Sequence, residues 1–258
     1  MKAARQTLPP LAVIIVLLAA WEAAAKWDVL ADAFTIRDFL IPAPSDVAGA
    51  LWEFRGVLWE DALVTFSEVV LGFGIALVLG VAFAVALHLS PTLRRAFYPL
   101  IVASQTVPPV AIAPVLVVWF GFGIAPKLFL IALICFFPIT VNTLDGLRSV
   151  DPDLIKMLRT LGASRGQTLR RAEFPWALPF AFSGARIAVA VAVIGAVFAE
   201  WAGSSEGLGH LIQVSSGELS TDLTFAAITV LSAMAIALFG ALALVERLVV
   251  NWREEPPR

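Results

Sequence analysis

Charge is scarce in this sequence. Of 258 residues only 15% are Asp, Glu, Lys or Arg, while 60% are hydrophobic. Soluble domains carry roughly 25% charged residues, so the composition excludes an ordinary soluble domain and defines an integral membrane protein. Cysteine is nearly absent. The single Cys135 lies in an apolar run, which excludes an intrachain disulfide and argues against a cysteine metal site. The net charge of −2 offers no basic excess for nucleic acid. No G-x-x-x-x-G-K-[ST] loop occurs, and neither histidine sits in an H-E-x-x-H pattern. Ser183 and Ser205 have no triad context. The chain is therefore read as non-catalytic, with no catalytic residue and no metal site.

Long apolar runs are what the sequence has instead. About 20 apolar residues cross a bilayer, so the chain holds about six spans in one all-α membrane domain, 1–258, with little left for a soluble one. The runs read as 8–25, 62–89, 97–120, 126–144, 176–200 and 223–250. The first is read as a retained helix rather than a signal peptide, because further spans follow. Between the first two, the IPAPSDV stretch predicts a helix start at Ser45 or Asp46, and Trp52 and Trp59 suit a helix at the headgroups. Gly72, Gly74 and Gly80 predict close helix approach in the second run. Pro108, Pro109 and Pro114 interrupt the third, where freed backbone groups must face protein or a water-lined path. The 201–222 connector is rich in Gly and Ser and has neither Lys nor Arg.

Polar residues within apolar runs need partners. Glu68 suits snorkelling or a helix–helix hydrogen bond. Arg186 suits pairing with an acid or a carbonyl. His88 reads as structural, and His210 as a loop residue. Glu200, beside Trp201, suits either an interfacial anchor or a gate.

The basic residues fix an orientation. With both termini inside, inner regions hold Lys2, Arg5, Arg94, Arg95, Arg148, Lys156, Arg159, Arg165, Arg170, Arg171, Arg247, Arg253 and Arg258, and outer regions only Lys26, Arg37, Arg55 and Lys127. The positive-inside rule then puts 151–175 in the cytoplasm and 201–222 outside.

Residues 151–175 form the one long polar interruption in the second half. Asp151 suits an N-cap, Pro152 the first helical position, and Asp153 the positive end of the helix dipole. Leu154, Ile155, Leu158 and Leu161 recur at helical spacing, with Lys156 and Arg159 on another face. Gly162 suits a left-handed stop. Ser164 and Gln167 form a capping box that opens a second helix. Pro175 discourages that helix from continuing.

This helix–Gly–helix knob, placed before the fifth span in a chain without an ATPase motif, resembles the permeases of bacterial ABC importers with a binding-protein-dependent transport fold. Gly162 and Pro175 match the Gly and Pro of the family's cytoplasmic EAA element. Lys156, Met157 and Leu158 stand where Glu-Ala-Ala would be, and Ala172 and Phe174 replace the Ile and Leu. PPVAIAPVLVVWFGFGIAPK and LPFAFSGARIAVAVAVIGAVFAEW resemble the nitrate, sulfonate and taurine-type subfamily. CFFPITVNTLDGLRSVDPDL and AEWAGSSEGLGHLI are similar to permeases for thiamine precursors such as hydroxymethylpyrimidine.

The resemblance implies a type I importer fold with a cytoplasmic coupling helix. It implies a multi-pass protein of the bacterial inner membrane that works as a homodimer with two ABC ATPase subunits and an extracytoplasmic solute-binding protein. ATP and Mg would then be bound by the ATPase. Asp151, Asp153, Lys156, Arg159, Gly162, Ala163, Ser164, Gln167 and Pro175 become the coupling residues. Pro108, Pro109, Pro114, Glu200 and Trp201 are the pathway and gate candidates. An ion-coupled secondary transporter is the competing class, and few central carboxylates and no evident inverted repeat stand against it. A membrane scaffold without transport is the third, and the prolines and the Gly-rich connector suit it less.

Overall fold

The computed structural model describes residues 2–27 and 40–251, with side chains from residue 12 onward. Arg37, Arg253 and Arg258 lie outside the described residues, as do the side chains of Lys2 and Arg5. Ten helices follow in order among the described residues. These are α1 (Lys2–Lys26), α2 (Pro44–Glu53), α3 (Arg55–Leu89), α4 (Pro91–Ser104), α5 (Pro109–Phe120), α6 (Ile124–Arg148), α7 (Pro152–Thr160), α8 (Arg165–Gly203), α9 (Leu208–Gly217) and α10 (Thr221–Val249).

Four of them, α3, α6, α8 and α10, are long and apolar enough to cross a membrane, with mean hydropathy from 2.0 to 2.7. The pair α4–α5 makes a fifth span if taken together, but it is bent by 101°. The third expected span is thus not one helix. Pro108 and Pro109 both lack an N–H, so the helical ladder cannot pass them. Pro108 also precedes a proline, which holds it extended at ψ 123°. The first expected span, 8–25, falls within α1, and the described residues thus hold four crossing helices, or five with the bent pair, where about six were expected.

Three other expectations are corrected. Helix α2 does not start at Ser45 or Asp46. The helix starts at Pro44, and Asp46 reaches back to accept the Ala43 N–H at 3.0 Å. Trp59 lies within the long α3 rather than on a separate interfacial helix, while Trp52 is on α2. The 201–222 connector contains α9, so His210 is helical and not a loop residue.

Pro175 does not end a helix. The chain runs helical from Arg165 to Gly203 through a π-turn, Leu169–Glu173. The Phe174 N–H bonds the Leu169 carbonyl, five residues back. Pro175 follows directly, so its missing N–H falls where the four-residue ladder is already interrupted.

The chain divides into two compact units. The first holds Met1–Leu63 with Glu206–Ser232. Val47, Ala50, Leu58, Leu208, Ile212, Ala226 and Ala227 form its core, and Trp21 packs on Phe225 at 6.0 Å between ring centroids. Asp61 accepts the Gly207 N–H at 2.8 Å, fixing the start of α9. The second unit holds Val64–Ser205 with Ala233–Arg258 and contains the segment 151–175.

Small residues set the spacing in the second unit. A Cβ on Gly72 would lie 2.6 Å from Ile131 Cγ2, and one on Gly80 2.9 Å from Ile139 Cγ2, so α3 and α6 meet at these glycines as expected. Gly74 meets nothing within 4 Å and takes no part. Between α6 and α8, Gly184 lies against the Pro138 carbonyl and Gly146 against Phe180. The buried Cys135 thiol bonds the Ala188 carbonyl at 3.3 Å across the same seam, so this cysteine packs two helices together. Arg186 pairs with Glu246, joining α8 to α10, as its place in an apolar span required.

Candidate functional site

The segment 151–175 folds by its own capping signals. Asp151 accepts the Asp153 N–H at 2.8 Å, and Pro152 opens α7. Asp153 and Lys156 pair at 2.8 Å on the exposed face, where such a pair adds little stability. At the end of α7 the Gly162 N–H bonds the Arg159 carbonyl and the Ala163 N–H bonds the Leu158 carbonyl, both at 3.0 Å. This Schellman pattern requires left-handed backbone, and Gly162 supplies φ +84°. Ser164 Oγ then accepts the Gln167 N–H at 3.3 Å, and Gln167 Oε1 accepts the Ser164 N–H at 2.8 Å, starting α8. Eight of the nine expected coupling residues thus sit on α7, its turn or the first turn of α8. Pro175 stands apart, two turns further into α8.

The apolar face of α7 differs from the expected one. Ile155 and Leu158 are half-buried, while Leu154, Met157 and Leu161 are exposed, Leu161 by 76%. No residue of α7 is buried. An amphipathic helix with its apolar residues uncovered is a surface suited to a protein partner.

A second polar cluster lies in the same unit, where Glu68 makes the bond between helices that its place in an apolar run suggests. It joins α3, the first turn of α6 and the end of α8. Lys127 Nζ donates to Glu68 Oε1 at 2.6 Å and to Ser204 Oγ at 2.7 Å. Lys127 is only 7% exposed, so it is not the outer-loop residue expected. The Glu68 carboxylate supplies its counter-charge, which makes the burial tolerable. Thr65 Oγ1 donates to Glu200 Oε1 at 2.7 Å. Glu200 is fully buried, which removes the interfacial-anchor reading. Trp201 is exposed and packs edge-on against Phe198, 5.6 Å away. A signal for this cluster did exist: an acid and a lysine inside apolar runs seek each other.

The prolines cluster at the break in α4–α5. Pro108 caps α5, Pro109 is its first residue, and Pro114 lies inside it. A cavity of about 190 Å³ sits at this bend, lined by Ser104, Gln105, Val107, Pro109, Ile112, Leu133 and Ile134. Ala113 and Leu116 of α5 share a buried cluster with Leu130 and with Ala199, the neighbour of Glu200.

Apolar spans, one of them broken, and a capped amphipathic helix ahead of a long span define a polytopic helical membrane protein. The chain belongs to the family of binding-protein-dependent transport system inner membrane components, whose sequence model matches residues 76–251. It is an ABC transporter permease subunit. It is 34% identical over 256 residues to the formylaminopyrimidine transport permease protein ThiX of Halalkalibacterium halodurans, covering 99% of this chain and 100% of that one. It is 31% identical over 258 residues to the taurine transport system permease protein TauC of Escherichia coli, covering 97% and 92%. Among solved structures, an inward-facing form of the MetNI methionine ABC transporter matches with a TM-score of 0.60 at 21% identity, covering 77% of this chain and 97% of that one. An amino acid ABC transporter with histidines matches with a TM-score of 0.61 at 13% identity, covering 78% and 96%. The two structures share the fold.

Proposed function

We propose that this chain forms the solute pathway of an ATP-driven importer and takes up a thiamine precursor of the pyrimidine class. The observation that carries the coupling reading is α7, a capped amphipathic helix with Leu154, Met157 and Leu161 uncovered. Residues 151–172 insert into a groove on a separate ABC ATPase, which binds ATP and Mg and performs the hydrolysis. The permease itself is not an enzyme. Two copies pair in the bacterial inner membrane with both termini cytoplasmic, and an extracytoplasmic binding protein delivers the solute. Closure of the ATP-bound ATPase pair moves α7 as a lever and switches the spans from inward-open to outward-open. A nearly complete switch, from 1:99 to 99:1, needs about 5.5 kcal/mol of difference between the states. The α4–α5 break and the Glu200 end of α8 are the pathway and gate. Similarity to ThiX over the whole chain supports the pyrimidine solute. Similarity to TauC over nearly as much supports taurine or a sulfonate as the second reading.

The test is uptake by vesicles holding the permease, its ATPase and its binding protein. ATP-dependent accumulation of labelled hydroxymethylpyrimidine, with taurine excluded, is the expected result. Accumulation by the permease alone on an ion gradient would overturn the class.

Gly162→Val tests the lever. A Cβ at Gly162 meets nothing within 4 Å, so the cost is backbone strain alone. Left-handed backbone costs an L-residue about 1–2 kcal/mol, and a β-branched one more. The turn opens, and binding-protein-stimulated ATPase activity and uptake both fall by about tenfold. Undiminished values for both would remove Gly162 from coupling.

A further inference from the structure

The coupling segment is tied to α3 at two places, one within the Ser164–Gln167 box and one at the end of the π-turn. His88 Nε2 donates to Glu173 Oε2 at 3.0 Å. The Arg165 guanidinium donates to the carbonyl of Leu89, the last residue of α3. His88 and Glu173 are largely buried, with side chains 15% and 11% exposed. The other ring nitrogen, His88 Nδ1, is buried without a hydrogen-bond partner among the described residues. The imidazole is thus oriented by Glu173 alone. Glu173 is the last residue of the π-turn, and Arg165 is the first residue of α8. The two ties therefore bracket the stretch between the knob and the span.

We infer that His88 and Glu173, with Arg165 on the Leu89 carbonyl, clamp the end of α3 to the root of the coupling segment, so that both move as one body. The inference rests on the reading of this chain as an ATP-coupled permease. Without the clamp, force applied at α7 would pass along the chain into α6 and α8 and reach α3 only through the α6 seam at Gly72 and Gly80, and the π-turn, a weak place in a helical ladder, would absorb part of it. With the clamp, the same displacement also reaches α3 directly at its C-terminal end, and the first half of that helix carries Thr65 and Glu68. His88 and Glu173 are positioning residues for the transport cycle.

A charge-assisted hydrogen bond is strong enough to change a two-state equilibrium by about tenfold or more. The readout is solute moved per ATP hydrolysed in the complete reconstituted complex, a ratio independent of how much protein survives preparation. His88→Leu and Glu173→Leu are each expected to lower this ratio about tenfold. Glu173→Gln keeps an oxygen for Nε2 and should stay within about threefold of wild type. The double variant should be no worse than either single one, because both remove the same bond. An unchanged ratio in both leucine variants overturns the clamp, even if their yield falls. So does a double variant whose losses multiply. If the wild-type complex shows no ATP-driven uptake, the functional reading fails, and the clamp fails with it. Wild-type uptake beside fully coupled leucine variants overturns the clamp alone.

Discussion

Lys127→Met lowers the stability of the protein by about 3–5 kcal/mol, the usual cost of breaking a buried ion pair by removing one member. Lys127 is the cation that faces Glu68 at 2.6 Å, and both side chains are over nine-tenths buried. The substitution fills most of the same volume with an apolar chain, so packing changes little. The cost is electrostatic, and Ser204 loses its donor as well. Heating the purified protein in detergent while following unfolding checks this. The midpoint is expected to fall by roughly 10 °C. Adding Glu68→Met should restore most of the loss, since replacing a buried pair by apolar residues is often neutral. A single variant that melts within about 2 °C of wild type would mean that the pair is not what holds this cluster.

Gly184→Val acts by geometry rather than charge. A Cβ at Gly184 would lie 2.5 Å from the Pro138 carbonyl oxygen, 2.9 Å from Asn142 Cβ and 3.2 Å from Ile139 Cα. Two of these three atoms are backbone of α6, so α6 and α8 must separate. Overpacking usually costs about 1–3 kcal/mol, and more when the neighbour cannot move. The seam also carries the Cys135 bond to the Ala188 carbonyl and the contact of Gly146 with Phe180, which separation would loosen together. The expected outcome is loss of most monodisperse protein on size exclusion in detergent. Gly74→Ala is the matched control, because its Cβ would meet nothing within 4 Å. It should leave the yield unchanged and stabilise the helix by up to about 1 kcal/mol. Equal yields from the two variants would show that close approach at Gly184 is not required.

What was legible in the sequence was local. Asp151, Gly162 and the Ser164–Gln167 box act over two to five residues, and their bonds form as the side chains alone imply. The spans were legible because a bilayer sets their length and polarity. That Glu68 needs a partner was legible, but which residues pair in the Lys127 cluster was not, because its partners lie 59 and 77 residues away in the chain, and those of the Thr65–Glu200 bond 135 apart. No propensity carries that information. Pro175 departs from its local signal for a different reason. A proline argues against regular helix, and the chain answered by interrupting the ladder just ahead of it. Helix α9 was missed although Leu208 and Ile212 stand one turn apart directly after Gly207, because the surrounding Gly and Ser suggested a loop.

The π-turn also governs angular register. A residue added to a regular α-helix turns everything beyond it by about 100°. The wide turn at Leu169–Glu173 takes up one extra residue without passing that rotation on. Arg165 therefore faces the Leu89 carbonyl while Gly184, on the same continuous helix, still faces Pro138. Removing one residue from the wide turn would straighten the ladder and leave both faces aligned. Removing one residue just after it, between Trp176 and Ser183, would swing the knob around the helix axis and aim it elsewhere.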